Sequence, residues 1–91
     1  MTPPTIFGAQ MTADKDGVYR VRLGLLDFRV EQKEHVCENG VTVYFQARCD
    51  ANFVHFVTAP CATSAVAISS LEQVLIGAFA ELDRSLPRAR A

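Results

Sequence analysis

Two short corners, Gly24-Leu25 and Asn39-Gly40, constrain this chain more than any other feature, because the segments flanking them alternate between apolar and polar residues. The run Tyr19-Arg20-Val21-Arg22-Leu23 places apolar side chains on one side and arginines on the other. That is the period-two pattern of a strand with one buried face. A glycine at the first central position suits a two-residue II′ turn, so Gly24-Leu25 sets Leu23 opposite Leu26, Val21 opposite Phe28 and Tyr19 opposite Val30. Asn-Gly favours a I′ turn. With Asn39 and Gly40 at its centre, Val36 faces Val43, Glu34 faces Phe45, Gln32 faces Ala47 and Val30 faces Cys49, all on the same apolar face. The other face carries Glu31 opposite Arg48, Lys33 opposite Gln46, His35 opposite Tyr44 and Cys37 opposite Thr42.

After Asp50-Ala51-Asn52, residues 53–57 read as a fourth strand, apolar on both faces. A three-residue loop puts His55 inside near Ala47, and a two-residue loop puts it outside near Arg48. Ser69-Ser70-Leu71-Glu72 has the form of a capping box. Leu71, Val74, Leu75, Ala78, Phe79, Leu82 and Leu86 then recur at three and four residues, which predicts a helix from Ser69 with an apolar stripe, ended by Pro87. Ile76 and Ala80 lie off that stripe.

The expected fold is α+β: a four- to five-stranded antiparallel β meander with a C-terminal α-helix packed on one face. Residues 1–16, with the apolar pair Ile6-Phe7, form an N-terminal arm that is partly ordered or an edge strand; 17–87 form a single α+β domain; 88–91 form a frayed tail.

Composition narrows the function classes. A chain that is 49% hydrophobic and 21% charged is globular in type, and a net charge of −1 with a pI near 6.0 offers no general attraction to polyanions. The amino terminus lacks the basic start and apolar run of a secretory signal, and no apolar stretch approaches the roughly 18 residues of a membrane span. Three cysteines, an odd number, fit a reducing compartment. The expectation is a cytoplasmic protein without membrane attachment. No glycine-rich phosphate loop, nucleophile elbow or internal repeat is present.

His35, Cys37, Cys49, His55 and Cys61 raise the question of a metal site. The hairpin registers send His35 and Cys37 to solvent and Cys49 to the core, and cysteines eleven residues apart lack the close pairs of a structural zinc site, so neither metal nor cofactor is expected.

Three readings of function remain. In the first, Glu34, Val36, Phe45 and His55 line an apolar pocket between sheet and helix for a small apolar or cationic ligand, with Glu34 as a general base if there is catalysis. Without a second carboxylate or an activated nucleophile nearby, enzyme activity is the lesser expectation. In the second, Arg20, Arg22, Arg29, Lys33, Tyr44 and Arg48 make the outer sheet face a single-stranded nucleic-acid surface, the ring stacking on a base while cations hold phosphates. The third reading takes precedence: a non-catalytic binding or protein-interaction module, a homodimer, because one helix leaves Ile76, Ala80, one side of the fourth strand and Ile6-Phe7 uncovered.

Overall fold

The computed structural model describes residues 3–52 and 54–85. Strands β1 (Thr5–Ile6) and β2 (Ala9–Gln10) form a small hairpin. Five more strands follow in chain order and pair with their neighbours in one antiparallel sheet: β3 (Thr12–Ala13), β4 (Tyr19–Leu23), β5 (Leu26–Cys37), β6 (Gly40–Asp50) and β7 (His55–Val57). Helix α1 (Ser64–Ser85) packs on one face of that sheet, chiefly over β5 and β6. The fold is therefore α+β with an antiparallel meander and one C-terminal helix, as the alternation and the helical spacing predict. The arm supplies the fifth, edge strand through Thr12 and Ala13, while Ile6 enters the core and Met11 beside β3 joins it.

The first corner holds as read. Leu23 pairs with Leu26, Val21 with Phe28 and Tyr19 with Val30, and Gly24 has φ 61, which suits the first position of a II′ turn. The second corner lies one residue earlier than expected. Cys37 pairs with Gly40, so the turn runs through Glu38 and Asn39, and Gly40, at φ 127, takes the left-handed backbone that Asn39 does not adopt. Every pair along β5 and β6 moves accordingly: Glu34 faces Val43, Gln32 faces Phe45, Val30 faces Ala47 and Phe28 faces Cys49. On the other face Glu31 meets Gln46, Lys33 meets Tyr44, His35 meets Thr42, and Arg29 meets Arg48. A one-residue slip would have inverted the faces; this change displaces partners by two and leaves the faces unchanged.

The core accordingly contains Phe28, Val30, Ala47 and Cys49 from the sheet, Ala67, Ile68, Leu71 and Leu75 from the helix, and Ile6 and Met11 from the arm. The helix begins five residues before the predicted Ser69. Its cap is Thr63, whose Oγ1 accepts the Val66 N–H at 3.1 Å and whose carbonyl accepts the Ala67 N–H at 3.1 Å. Glu72 turns instead to the arm and accepts the Phe7 N–H at 2.8 Å. The earlier start adds Ala65-Val66-Ala67-Ile68, and the helical stretch Ser64–Arg84 becomes long and apolar enough to cross a membrane by length and composition, with a mean hydropathy of 1.5 over its most apolar 18 residues. This corrects the expectation that no stretch approaches a span. In the fold, the first half of that helix is the lid of the sheet. Leu86, Pro87, the tail 88–91 and Phe53 lie outside the described residues.

Candidate functional site

The four residues expected to line a ligand pocket do not converge. Glu34 and Val36 lie on the sheet face that bears the core, but on a part of the hairpin the helix does not cover, and both are exposed. Phe45 is half-buried at the margin of the core. His55 is on the opposite face, where it pairs across the sheet with Asp50 and its Nδ1 lies beside the Asp50 carboxylate. The arrangement agrees instead with the other reading of Gln32 and Glu34 on this face, a long strand whose far end extends past the helix into solvent. Strand β5 runs twelve residues, and its far half, with Gln32 and Glu34 on the apolar face, projects past the helix into water, so the carboxylate needs no buried partner.

The open clefts among the described residues include two that were not anticipated. One, of about 360 Å³, lies at the Gly24 end of the sheet between Arg22, Leu25, Asp27, Asp50, Ala51 and Asn52. The other, of about 390 Å³, separates Pro3, Pro4 and Thr5 from Ala65, Ile68, Ser69 and Glu72 on the helix. The first presents two carboxylates that stand directly opposite each other, Asp27 and Asp50. Among the described residues no three His, Cys, Asp or Glu side chains are arranged to hold a metal ion. Cys37 is exposed near the hairpin tip, Cys49 is buried, and Cys61 is half-buried beside Phe45, with which it forms a β-bridge. Burial, followed by the charges of Asp50 and Asp27, pushes the Cys49 thiol above its ordinary pKa.

The second set, Arg20, Arg22, Arg29, Lys33, Tyr44 and Arg48, does share one face. Arg20, Arg29 and Arg48 even form a row across three adjacent strands. Each of these three, and Lys33, is matched by a carboxylate, however, while Arg22 Nε donates to the Gly24 carbonyl at 3.3 Å. Arg20 Nε bonds Asp14 Oδ2 at 2.9 Å; Arg29 Nη1 lies 3.4 Å from Glu31 Oε1; Lys33 Nζ lies 3.7 Å from the other oxygen of Glu31; Arg48 Nε lies 3.5 Å from Asp50 Oδ2. These like-charged neighbours are tolerated because a carboxylate sits beside each arginine, two residues along the strand for Arg29 and Arg48 and in the loop before β4 for Arg20. With Asp27 also on this face, a polyphosphate would meet a mosaic of signs rather than a positive field.

The remaining site is apolar. Val36, Val41 and Val43 on the hairpin are exposed to 73%, 58% and 43%, and on the helix Leu82 and Phe79 are exposed to 51% and 37%. All five lie on faces that continue the core. Val41 and Val43 follow Phe45, Ala47 and Cys49 along β6, and Phe79 and Leu82 continue the stripe of Ala67, Leu71 and Leu75. Ile76, Val66 and Val74 are exposed elsewhere on the helix. Periodicity located the stripe but carried no information on where the sheet beneath it stops. Ile6, grouped by the sequence with the uncovered surface, is fully buried, and only Phe7 of that pair is exposed. Comparison with protein-family models, with characterised protein sequences and with solved structures finds no match.

Proposed function

We propose that this chain is a small, non-catalytic binding module that acts as a homodimer. The observation that carries the reading is the extent of apolar surface left open on faces continuous with the core, above all on the projecting hairpin and the second half of α1. Monomeric soluble proteins seldom leave such surface in contiguous patches, and the commonest partner for a small domain is a second copy. The charged face supports the same reading indirectly, since Arg20, Arg29, Lys33 and Arg48 are already matched by carboxylates and are poorly placed to hold a polyanion. A cytoplasmic location fits three cysteines that form no disulfide.

Sedimentation equilibrium between 1 and 100 μM, roughly the range of weak to moderate self-association, tests it. A mass rising towards twice 10.0 kDa is expected. A constant mass of one chain throughout would remove the homodimer.

A further inference from the structure

The layer between helix and sheet is left incomplete in two complementary ways. On the sheet side, β5 and β6 continue beyond their neighbours: β4 begins opposite Val30, and the edge beside β6 ends with the bridge from Cys61 to Phe45. From there to the turn at Glu38-Asn39 the protein is a two-stranded ribbon with a valine-bearing face and no helix above it. The molecule is correspondingly long, 59 Å against 27 and 22 Å. On the helix side, the stripe of Ala67, Leu71 and Leu75 continues through Ala78, Phe79 and Leu82 with too little sheet beneath to bury them. One surface is a sheet face lacking a helix, and the other is a helix stripe lacking a sheet.

We infer that two copies exchange these surfaces, the hairpin of each lying against the second half of α1 in the other. The inference rests on the homodimer proposed above and specifies how it is built. A second copy is the fitting occupant because a single two-fold rotation satisfies both surfaces at once, whereas an unrelated partner would have to bring a matching helix and a matching sheet face together. The ribbon itself also calls for cover, since an isolated two-stranded hairpin is marginal in water. The sizes agree: Val36, Val41, Val43, Phe79 and Leu82 leave on the order of 400 Å² open per copy, about half of the roughly 800 Å² per partner of a standard interface, and a little over half of such an interface is apolar. Gln32 and Glu34 lie on the same face, Glu34 directly opposite Val43, and form the polar side of the patch nearest the core.

Exchange makes a distinctive demand on mixtures. Val43→Glu damages the hairpin side, and Leu82→Lys damages the helix side. Both residues are largely exposed, so each variant retains its fold, as circular dichroism checks; Val41→Glu and Phe79→Lys serve as a second pair. Each variant alone has both contacts broken, with dimer dissociation expected to rise at least 100-fold. In an equimolar mixture one contact is native and the other sets Glu against Lys, so dimer mass returns.

Sedimentation of the full chain at micromolar concentration, with and without phosphatidylcholine vesicles, separates the outcomes. Loss in each variant and recovery on mixing supports exchange. Dissociation of only one variant means that hairpin meets hairpin or helix meets helix, and dissociation of both without recovery on mixing means that each surface meets its own copy; either overturns it. A wild-type dimer indifferent to both substitutions also overturns it while leaving self-association through another face. A monomer at all concentrations, whether free or bound to vesicles through its apolar helix, overturns the exchange and the homodimer together.

Discussion

The backbone N–H of Phe7 donates to Oε2 of Glu72 at 2.8 Å, joining residues sixty-five apart in the chain. It holds the first hairpin against the helix at a point of backbone strain: Phe7 has φ 49, a left-handed value rare for a residue with a side chain. Its ring lies 6.0 Å from that of Phe28, tilted by 60°, an arrangement aromatic pairs favour. One carboxylate and one ring therefore fix the arm that places Ile6 and Met11 in the core.

Glu72→Ala is expected to lower unfolding free energy by about 1 kcal/mol, the scale of a hydrogen bond whose solvent exposure softens the charge. Glu72→Gln keeps an acceptor and should recover most of the loss. Urea unfolding of the three proteins checks this, and equal stability for all three would mean that the clasp does not hold the arm.

Leu75→Ala removes a fully buried side chain and should cost about 2–5 kcal/mol, whereas Val74→Ala, one residue away on an exposed side, should cost under roughly 0.5 kcal/mol. Comparable losses in thermal unfolding would contradict the helix rotation described above.

Gly24 and Gly40 have open space where a Cβ would go, so alanine at either tests the backbone alone. Gly24→Ala, at φ 61 and the first central position of a II′ turn, should cost about 1–3 kcal/mol. Gly40→Ala, at φ 127, also lies outside the wells open to alanine and should cost about 1–3 kcal/mol. A wild-type melting temperature for Gly40→Ala would show that the second corner does not turn as described.

Asp14 loses some hydration, which alone would raise its pKa, but N–H groups of Asp16 and Val18 and the Arg20 guanidinium outweigh this and hold its carboxyl below the ordinary value. A depressed folded-state pKa gives stability that is present above the unfolded value and is lost as pH falls through the folded one. Wild type should therefore lose stability more steeply than Asp14→Asn below pH about 4. Denaturant midpoints from pH 6 to 2, roughly the carboxyl titration range, measure the difference, and parallel curves would refute it.

Thiol alkylation followed by mass spectrometry should label Cys37 first, Cys61 next and Cys49 last, the order of their exposure, with burial also keeping the Cys49 thiol protonated. Early modification of Cys49 would mean that the sheet opens readily.

Much of the fold was legible in the sequence because alternation and turn chemistry are local. Gly24 pinned the first register outright. Asn39-Gly40 located the second hairpin but not its corner, since an Asn-Gly pair serves both a I′ turn centred on it and a turn that merely ends on its glycine. The faces survived that error because both registers join even-numbered residues of β5 to odd-numbered residues of β6. The helix start was misplaced because Ser69-Glu72 has the form of a capping box, whereas Thr63 follows a short segment with no pattern of its own. Whether Glu34 lines a pocket or projects into water was left open by the sequence for a non-local reason: it depends on where the helix crosses β5, and no spacing within either element records that.

The hairpin has one further implication. Its outer half shares strands with the core yet contributes no fully buried side chain, so cross-strand pairs could be gained or lost near Glu38-Asn39 without disturbing Phe28 or Cys49. Reach is in this way decoupled from foldability, and related chains could vary the spacing between whatever they join by lengthening a ribbon.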